Sequence, residues 1–275
     1  MIKVDNLSKR FGNKIALEDI SFDIKEGEIF GFLGPSGAGK TTTINILTGQ
    51  LSQDSGKAYI LNKESNRLLP SDFLNIGIMS DTVGFYGKMT VYKNLQFFAK
   101  YHNVSLDKLD VLLKELELFE DKDKKAEKLS TGMKQRMLLI RSILHHPKIL
   151  FLDEPTSGLD PALSNKVHDI LLNLKNEGTT IFLTTHDMSE ATKICDRISL
   201  LNSGHILEYG SPQEIIDKYS QQDKAVIRFK NGDSIMVSQA EAARYLGGSD
   251  VASVHTLENT LEDIFIKISE DSKNV

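Results

Sequence analysis

The sequence holds one cysteine, Cys195, in 275 residues. No intrachain disulfide can form, and a reducing compartment is the expected setting. Long apolar runs are also missing. Spanning a bilayer takes roughly 20 apolar residues, whereas the longest stretches here, such as Ile149-Leu150-Phe151-Leu152, have the length of buried strands. If the chain serves transport, the membrane path lies on another chain. Positive charge is not in excess: 33 basic residues face 38 acidic ones, for a net charge of −5, so nucleic acid is not an expected partner. The start, Met1-Ile2-Lys3-Val4-Asp5, leads into an alternating charged stretch with no secretory signal. No internal repeat is evident.

What remains is ordinary globular material, long enough for a large domain plus a small one. The first third alternates as strands do, over residues 2–7, 15–24 and 28–33, with turns at Gly12-Asn13 and Glu26-Gly27. Residues 41–48 continue as a helix, and 58–61 and 76–79 as short strands. From about 90 to 145 the periodicity turns helical, over 94–102, 106–118 and 134–144, interrupted by a solvated charged loop at 120–128. Strands at 149–152, 180–184 and 198–201 then alternate with helices at 162–175 and 189–195. That alternation implies a parallel sheet covered on both faces. After a polar break at 220–224, residues 225–229 and 234–237 flank Asn231-Gly232, a hairpin signal, followed by helical segments at 238–245 and 259–269 around a strand at 251–254.

The chemistry starts at Gly34-Pro35-Ser36-Gly37-Ala38-Gly39-Lys40-Thr41, which fits G-x-x-x-x-G-K-[ST]. Glycines let the backbone curl its N–H groups toward phosphate oxygens, and the following helix adds its positive end. Lys40 supplies charge for the β- and γ-phosphates, Thr41 a hydroxyl for Mg²⁺, and Thr42 completes the ATP-binding set. By chance such a match arises in on the order of one chain in a hundred of this length, and here it follows an apolar strand and opens a helix. The second signal is Asp153-Glu154, two acids ending a buried strand. A parallel strand delivers its C-terminal residues to the ligand edge of the sheet. Asp153 is placed to hold Mg²⁺, and Glu154 to polarise an attacking water.

From these motifs onward, residues 1–219 resemble the nucleotide-binding domains of ABC transporters in order and spacing. Leu129-Ser130-Thr131-Gly132-Met133 sits where the family's signature belongs, Pro155–Asp160 looks like its D-loop, His186 like its switch histidine, and Phe11 like the aromatic that stacks on adenine. The resemblance implies an α/β P-loop NTPase with an antiparallel β subdomain, a helical insertion and a small C-terminal α/β appendage over 220–275. It implies ATP hydrolysis with Mg²⁺. A second nucleotide-binding subunit, identical or different, would contribute Ser130, Gly132 and Asp160 across a dimer interface. His186 would contact the γ-phosphate.

Two departures stand out. Asp81 occupies the place of the family's glutamine, which serves as Mg²⁺ ligand and coupling residue. Thr131 and Met133 replace a glycine and a glutamine of the signature, a variant similar to those of the drug- and peptide-export branch. The ending, residues 254–265, resembles that branch too, with Leu257, Leu261, Ile264, Phe265 and Ile268 on one face. In the family, the helical insertion receives a membrane permease subunit, here near Phe85, Tyr86 and Met89. The resemblance thus implies a cytoplasmic subunit, peripheral on the inner face of the cell membrane, energising export of a drug or peptide. The alternatives are a soluble ABC-type ATPase and a nucleotide-gated regulatory module. The retention of Glu154 and His186 argues for a hydrolytically competent site. The six remaining histidines carry no motif and are expected at the surface, with Cys195 as a small buried hydrophobe.

Overall fold

The computed structural model describes residues 1–80, 84–219, 224–256 and 259–271. In chain order the elements are β1 (Ile2–Phe11), β2 (Lys14–Ile24), β3 (Ile29–Leu33), α1 (Lys40–Leu47), β4 (Ser55–Ile60), β5 (Lys63–Glu64) and β6 (Ile76–Met79). Next come α2 (Val91–Tyr101), α3 (Leu106–Glu115), α4 (Thr131–Ile143), β7 (Ile149–Asp153), α5 (Pro161–Asn176), β8 (Thr180–Thr185), α6 (Met188–Ile194), β9 (Arg197–Asn202) and β10 (His205–Gly210). The chain continues through α7 (Pro212–Tyr219), β11 (Lys224–Phe229), β12 (Ser234–Ser238), α8 (Gln239–Ala242), β13 (Val251–Thr256) and α9 (Leu261–Asp271).

The first compact unit, Met1–Tyr209, carries two sheets. One has the order β2-β1-β4-β5, with antiparallel pairing throughout. The other has the order β10-β9-β3-β8-β7-β6, and its run from β9 to β6 is parallel. Every residue of β3 and β8 is buried, as expected of strands covered on both faces. In β2 burial alternates toward its end, at Ile20, Phe22 and Ile24, as one face turns to the core.

Phenylalanines weld the two sheets. Phe22 of β2 stacks on Phe30 of β3 with centroids 5.4 Å apart, and Phe182 of β8 lies 5.5 Å from Phe32 and 5.8 Å from Phe151. Burying such a ring stabilises by ~1.5–3 kcal/mol, and the cluster fixes the C-terminal edges of β3, β8 and β7. Below it, Gly31 leaves room for the Cys195 thiol: a Cβ at Gly31 would stand 2.8 Å from Cys195 Sγ.

The helices begin where side chains cap them. Thr90, Ser105, Ser130, Asp160 and Asp187 each accept a hydrogen bond from the first turn of α2, α3, α4, α5 and α6. The helical insertion expected over 90–145 is thus α2, α3 and α4. The charged stretch at 120–128 is largely exposed, apart from a short 3₁₀ turn at Ala126–Lys128 that buries Ala126.

The second unit, Gly210–Val275, holds the three-stranded antiparallel sheet β12-β11-β13 around Ala225, Ile227 and Ala242. Leu261 and Ile264 are the buried face of α9. The compact units part ahead of the polar break at 220, because α7 packs on α9 and so belongs to the C-terminal unit. Residues 220–223 of that break, and Leu257, lie outside the described residues. One expectation about side chains fails: His168 is buried, at 6% exposure, against Glu190. A polar ring with a buried acceptor at hand need not reach solvent.

Candidate active site

The sheet order puts β8 between β3 and β7. The loop after β3, the acids ending β7 and the residues after β8 therefore meet at one edge, although they are far apart in sequence. The loop and the acids line a cleft of about 440 Å³ together with Phe11, Lys14, Ala16, Gln135 and Ser157; His186 is joined to it through Glu154. Pro35, Ser36, Gly37, Gly39, Lys40, Thr41 and Thr42 of the loop line it, with Asp153 and Glu154 beside them.

Gly39 is the N-cap of α1 at φ 118°, and a Cβ there would stand 2.5 Å from Ala16 O. Only glycine fits this backbone and this approach. Gly34 is equally pinned, since a Cβ would meet Leu201 O at 2.2 Å. Ala38 is buried at 2% exposure and its N–H donates to Pro35 O, closing the loop. No side chain caps α1, and no acid stands in its first turn. The loop N–H groups and the helix dipole thus present an anion cradle that no side chain of the first turn neutralises.

Lys40 is 7% exposed. Its Nζ donates to Gly34 O at 2.5 Å and Pro35 O at 3.3 Å and lies 3.2 Å from Glu154 Oε1. The other carboxylate oxygen of Glu154, Oε2, is 2.7 Å from His186 Nδ1. Glu154 itself sits at φ 52°, and its N–H donates to Thr184 O at 3.0 Å. Such a left-handed non-glycine costs ~1–3 kcal/mol and is held by its surroundings.

Asp153 accepts from Thr41 Oγ1 at 2.7 Å and from Thr184 Oγ1 at 2.5 Å. This hydroxyl–carboxylate pair is the hard-oxygen set that Mg²⁺ takes beside nucleotide phosphates. No cluster of three or more acids, histidines or cysteines able to hold a metal exists among the described residues. Asp81 lies outside the described residues.

Ser130, Gly132 and Asp160 do not line the cleft of their own chain. Ser130 Oγ accepts from Met133 N at 3.3 Å, and Asp160 Oδ1 from Ala162 N and Leu163 N at 3.0 Å. Gly132 packs against the D-loop: a Cβ would stand 3.1 Å from Gly158 O. Phe11 is half exposed, at 51%, at the rim. Thr184 and Gln135 escaped the sequence reading as site residues, and Ser157 entered it only as part of the D-loop. A threonine inside a buried strand directly before a histidine motif was the signal available for Thr184.

The ABC transporter family model matches residues 17–157. A fluoroquinolones export ATP-binding protein of Mycobacterium tuberculosis is 36% identical over 98% of this chain and 93% of its own length. The chain belongs to the ABC transporter family. The Nod factor export ATP-binding protein I of Bradyrhizobium diazoefficiens is 32% identical over 98% of this chain and 96% of its own length. Among solved structures, the dimer of an ATP-binding cassette in a post-hydrolysis state with ADP and Pi superposes with a TM-score of 0.69. The two are 27% identical over 77% of this chain and 98% of that one. As an ABC ATP-binding subunit, the chain binds and hydrolyses ATP, on the P-loop NTPase fold described above.

Proposed function

We propose that this ABC subunit is the motor of an exporter and that a single carboxylate, Glu154, is the proton acceptor of its hydrolysis step. One observation carries this reading: Glu154 stands between the phosphate-loop lysine and an exposed histidine, 3.2 Å from Lys40 Nζ and 2.7 Å from His186 Nδ1. The loop amides of residues 36–42 and Lys40 bind the phosphates, with Gly34 and Pro35 shaping the loop, and nucleotide competes with Gly34 O and Glu154 for the lysine. Thr41 and Asp153 hold Mg²⁺, which when bound neutralises charge on the β- and γ-phosphates. Glu154 takes the proton from the attacking water, and His186 fixes that carboxylate and reaches toward the γ-phosphate. The Phe11 ring is the platform for the adenine.

Ser130, Gly132 and Asp160 act on the nucleotide of a second subunit. Their absence from the cleft of their own chain supports this, as does the dimer in which the related cassette was solved. The signature helix α4 offers its N-terminus, with Gly132 allowing close approach.

The membrane path lies on a permease partner. No helix among the described residues is long and apolar enough to cross a membrane. Tyr86 and Phe97, 55% and 50% exposed, meet edge-on at 6.1 Å near Met89 and offer an apolar seat for that partner. The chain then works as a peripheral subunit on the inner face of the membrane. Export rather than import is favoured by the ending at 254–265 and by the two export proteins that match along nearly the whole chain.

The test is Glu154→Gln. Turnover should drop by about 10²–10⁴ while ATP-loaded dimers accumulate on size exclusion. Wild-type turnover in this variant removes Glu154 from its role.

A further inference from the structure

Behind the active site lies a second group of polar side chains, and the phosphates cannot reach it. Glu190, 3% exposed, stands in the first turn of α6. Its Oε1 accepts from Thr156 Oγ1 of the D-loop at 2.8 Å and lies 3.0 Å from Nε2 of His168 on α5, itself 6% exposed. Glu190 Oε2 and His168 Nδ1 have no hydrogen-bond partner among the described residues. Burying polar atoms this way costs stability. An apolar pair of similar volume would join α5 and α6 more cheaply. What only the carboxylate supplies is one oxygen with two fixed contacts.

Those contacts close a ring. From Glu154 the chain turns through Ser157, whose N–H donates to Glu154 O at 3.2 Å. Thr156 in that turn is tied to Glu190. Glu190 is tied back to Asp187, whose Oδ1 accepts from Glu190 N at 3.1 Å. His186 precedes Asp187 in the chain and returns to Glu154 at 2.7 Å. The separation between the two active-site side chains is thus set from behind by the Thr156–Glu190 hydrogen bond.

We propose that Thr156 and Glu190 are positioning residues for hydrolysis: they hold the Glu154–His186 pair in register through the D-loop and the first turn of α6, with His168 fixing the carboxylate. This rests on the assignment of Glu154 and His186 above. Neither residue touches the phosphate loop, so nucleotide binding is left alone while the chemical step is tuned.

The test uses the full chain at saturating protein concentration. Thr156→Val should lower kcat roughly five- to tenfold, the worth of one net hydrogen bond, with KM for ATP unchanged, and Thr156→Ser should restore kcat. In a His186→Ala background the ring is already open, so Thr156→Val should have no further effect. A loss that multiplies fully in that background, or a wild-type kcat for Thr156→Val, overturns the proposal. A rise in KM as large as the fall in kcat also overturns it. Should Thr156→Val not fold, Thr156→Ala makes the same reading. Glu154→Gln runs in parallel: wild-type turnover there marks failure of the base assignment rather than of the positioning one.

Discussion

The Thr41 hydroxyl donates to Asp153 Oδ2 across 2.7 Å, joining residues 112 positions apart in the chain. The first helix after the phosphate loop and the acidic end of β7 are thereby joined side chain to side chain. Asp153 is held on its other side by Thr184 of β8, through a hydroxyl that is fully buried.

Thr184→Val keeps the shape of that side chain and removes its hydrogen bond. Metal affinity should fall by about tenfold or more, as for other partners that orient a ligating carboxylate. Titration of Mn²⁺ by electron paramagnetic resonance, with ATP present, measures it. An unchanged affinity means Thr184 does not orient the metal ligand.

Gly39→Ala places a methyl 2.5 Å from Ala16 O and 2.6 Å from Leu17 Cδ2, at φ 118°. The strain should lower stability by about 1–3 kcal/mol and abolish ATP binding, since the loop must move to relieve it. Chemical denaturation and a fluorescent-nucleotide titration report the two effects separately. Wild-type nucleotide affinity in this variant contradicts the cradle.

Two crippled chains should rescue each other. Lys40→Ala disables a phosphate loop, and Gly132→Asp disables a signature. A mixed dimer retains one site with both parts intact, so mixing two inactive preparations should restore ATPase activity. For the same reason, specific activity of the unmutated chain should rise with protein concentration. No gain on mixing removes the composite site.

Acid should loosen the joint between α2 and the end of α4. His145 stacks on His102 with ring centroids 4.0 Å apart, and its Nε2 lies 3.3 Å from Ile76 O. Burial, followed by the neighbouring His102, lowers its pKa from 6.5 to about 4. Between those values the unfolded chain binds a proton that the folded chain refuses, so stability falls as pH drops through that window. His145→Gln has no such proton to take up. Its melting temperature should therefore decline less than that of the unmutated chain between pH 7 and pH 5. Equal declines assign the acid sensitivity elsewhere.

How much of this was legible in the sequence follows from how contiguous each feature is. The phosphate loop stands in eight consecutive residues, and the acids follow an unbroken apolar strand, so both could be read directly. Ser130 and Asp160 entered through the family resemblance, as did the proposal that they act on a neighbouring subunit; in the structure both are helix caps. Thr184 left only the trace of a threonine in a buried strand before a histidine motif, and Gln135 and the Thr156–Glu190–His168 group were not legible. Their meaning depends on β8 lying between β3 and β7, an order that no local pattern announces. A buried histidine on a helix face looks, in sequence, like an exposed one. The division ahead of α7 was hidden likewise, because a helix boundary says nothing about the partner on which the helix packs.

The buried thiol beneath β3 has a practical consequence. Cys195 is packed against Gly31, and burial lifts its pKa well above the ordinary range. A maleimide probe therefore meets almost no thiolate on the native chain. Cysteines placed at exposed positions such as Val111 or Leu246 can be labelled selectively without first removing the natural one. Fluorescence distances between such labels, one per subunit, would test whether two copies of the chain approach each other on adding ATP.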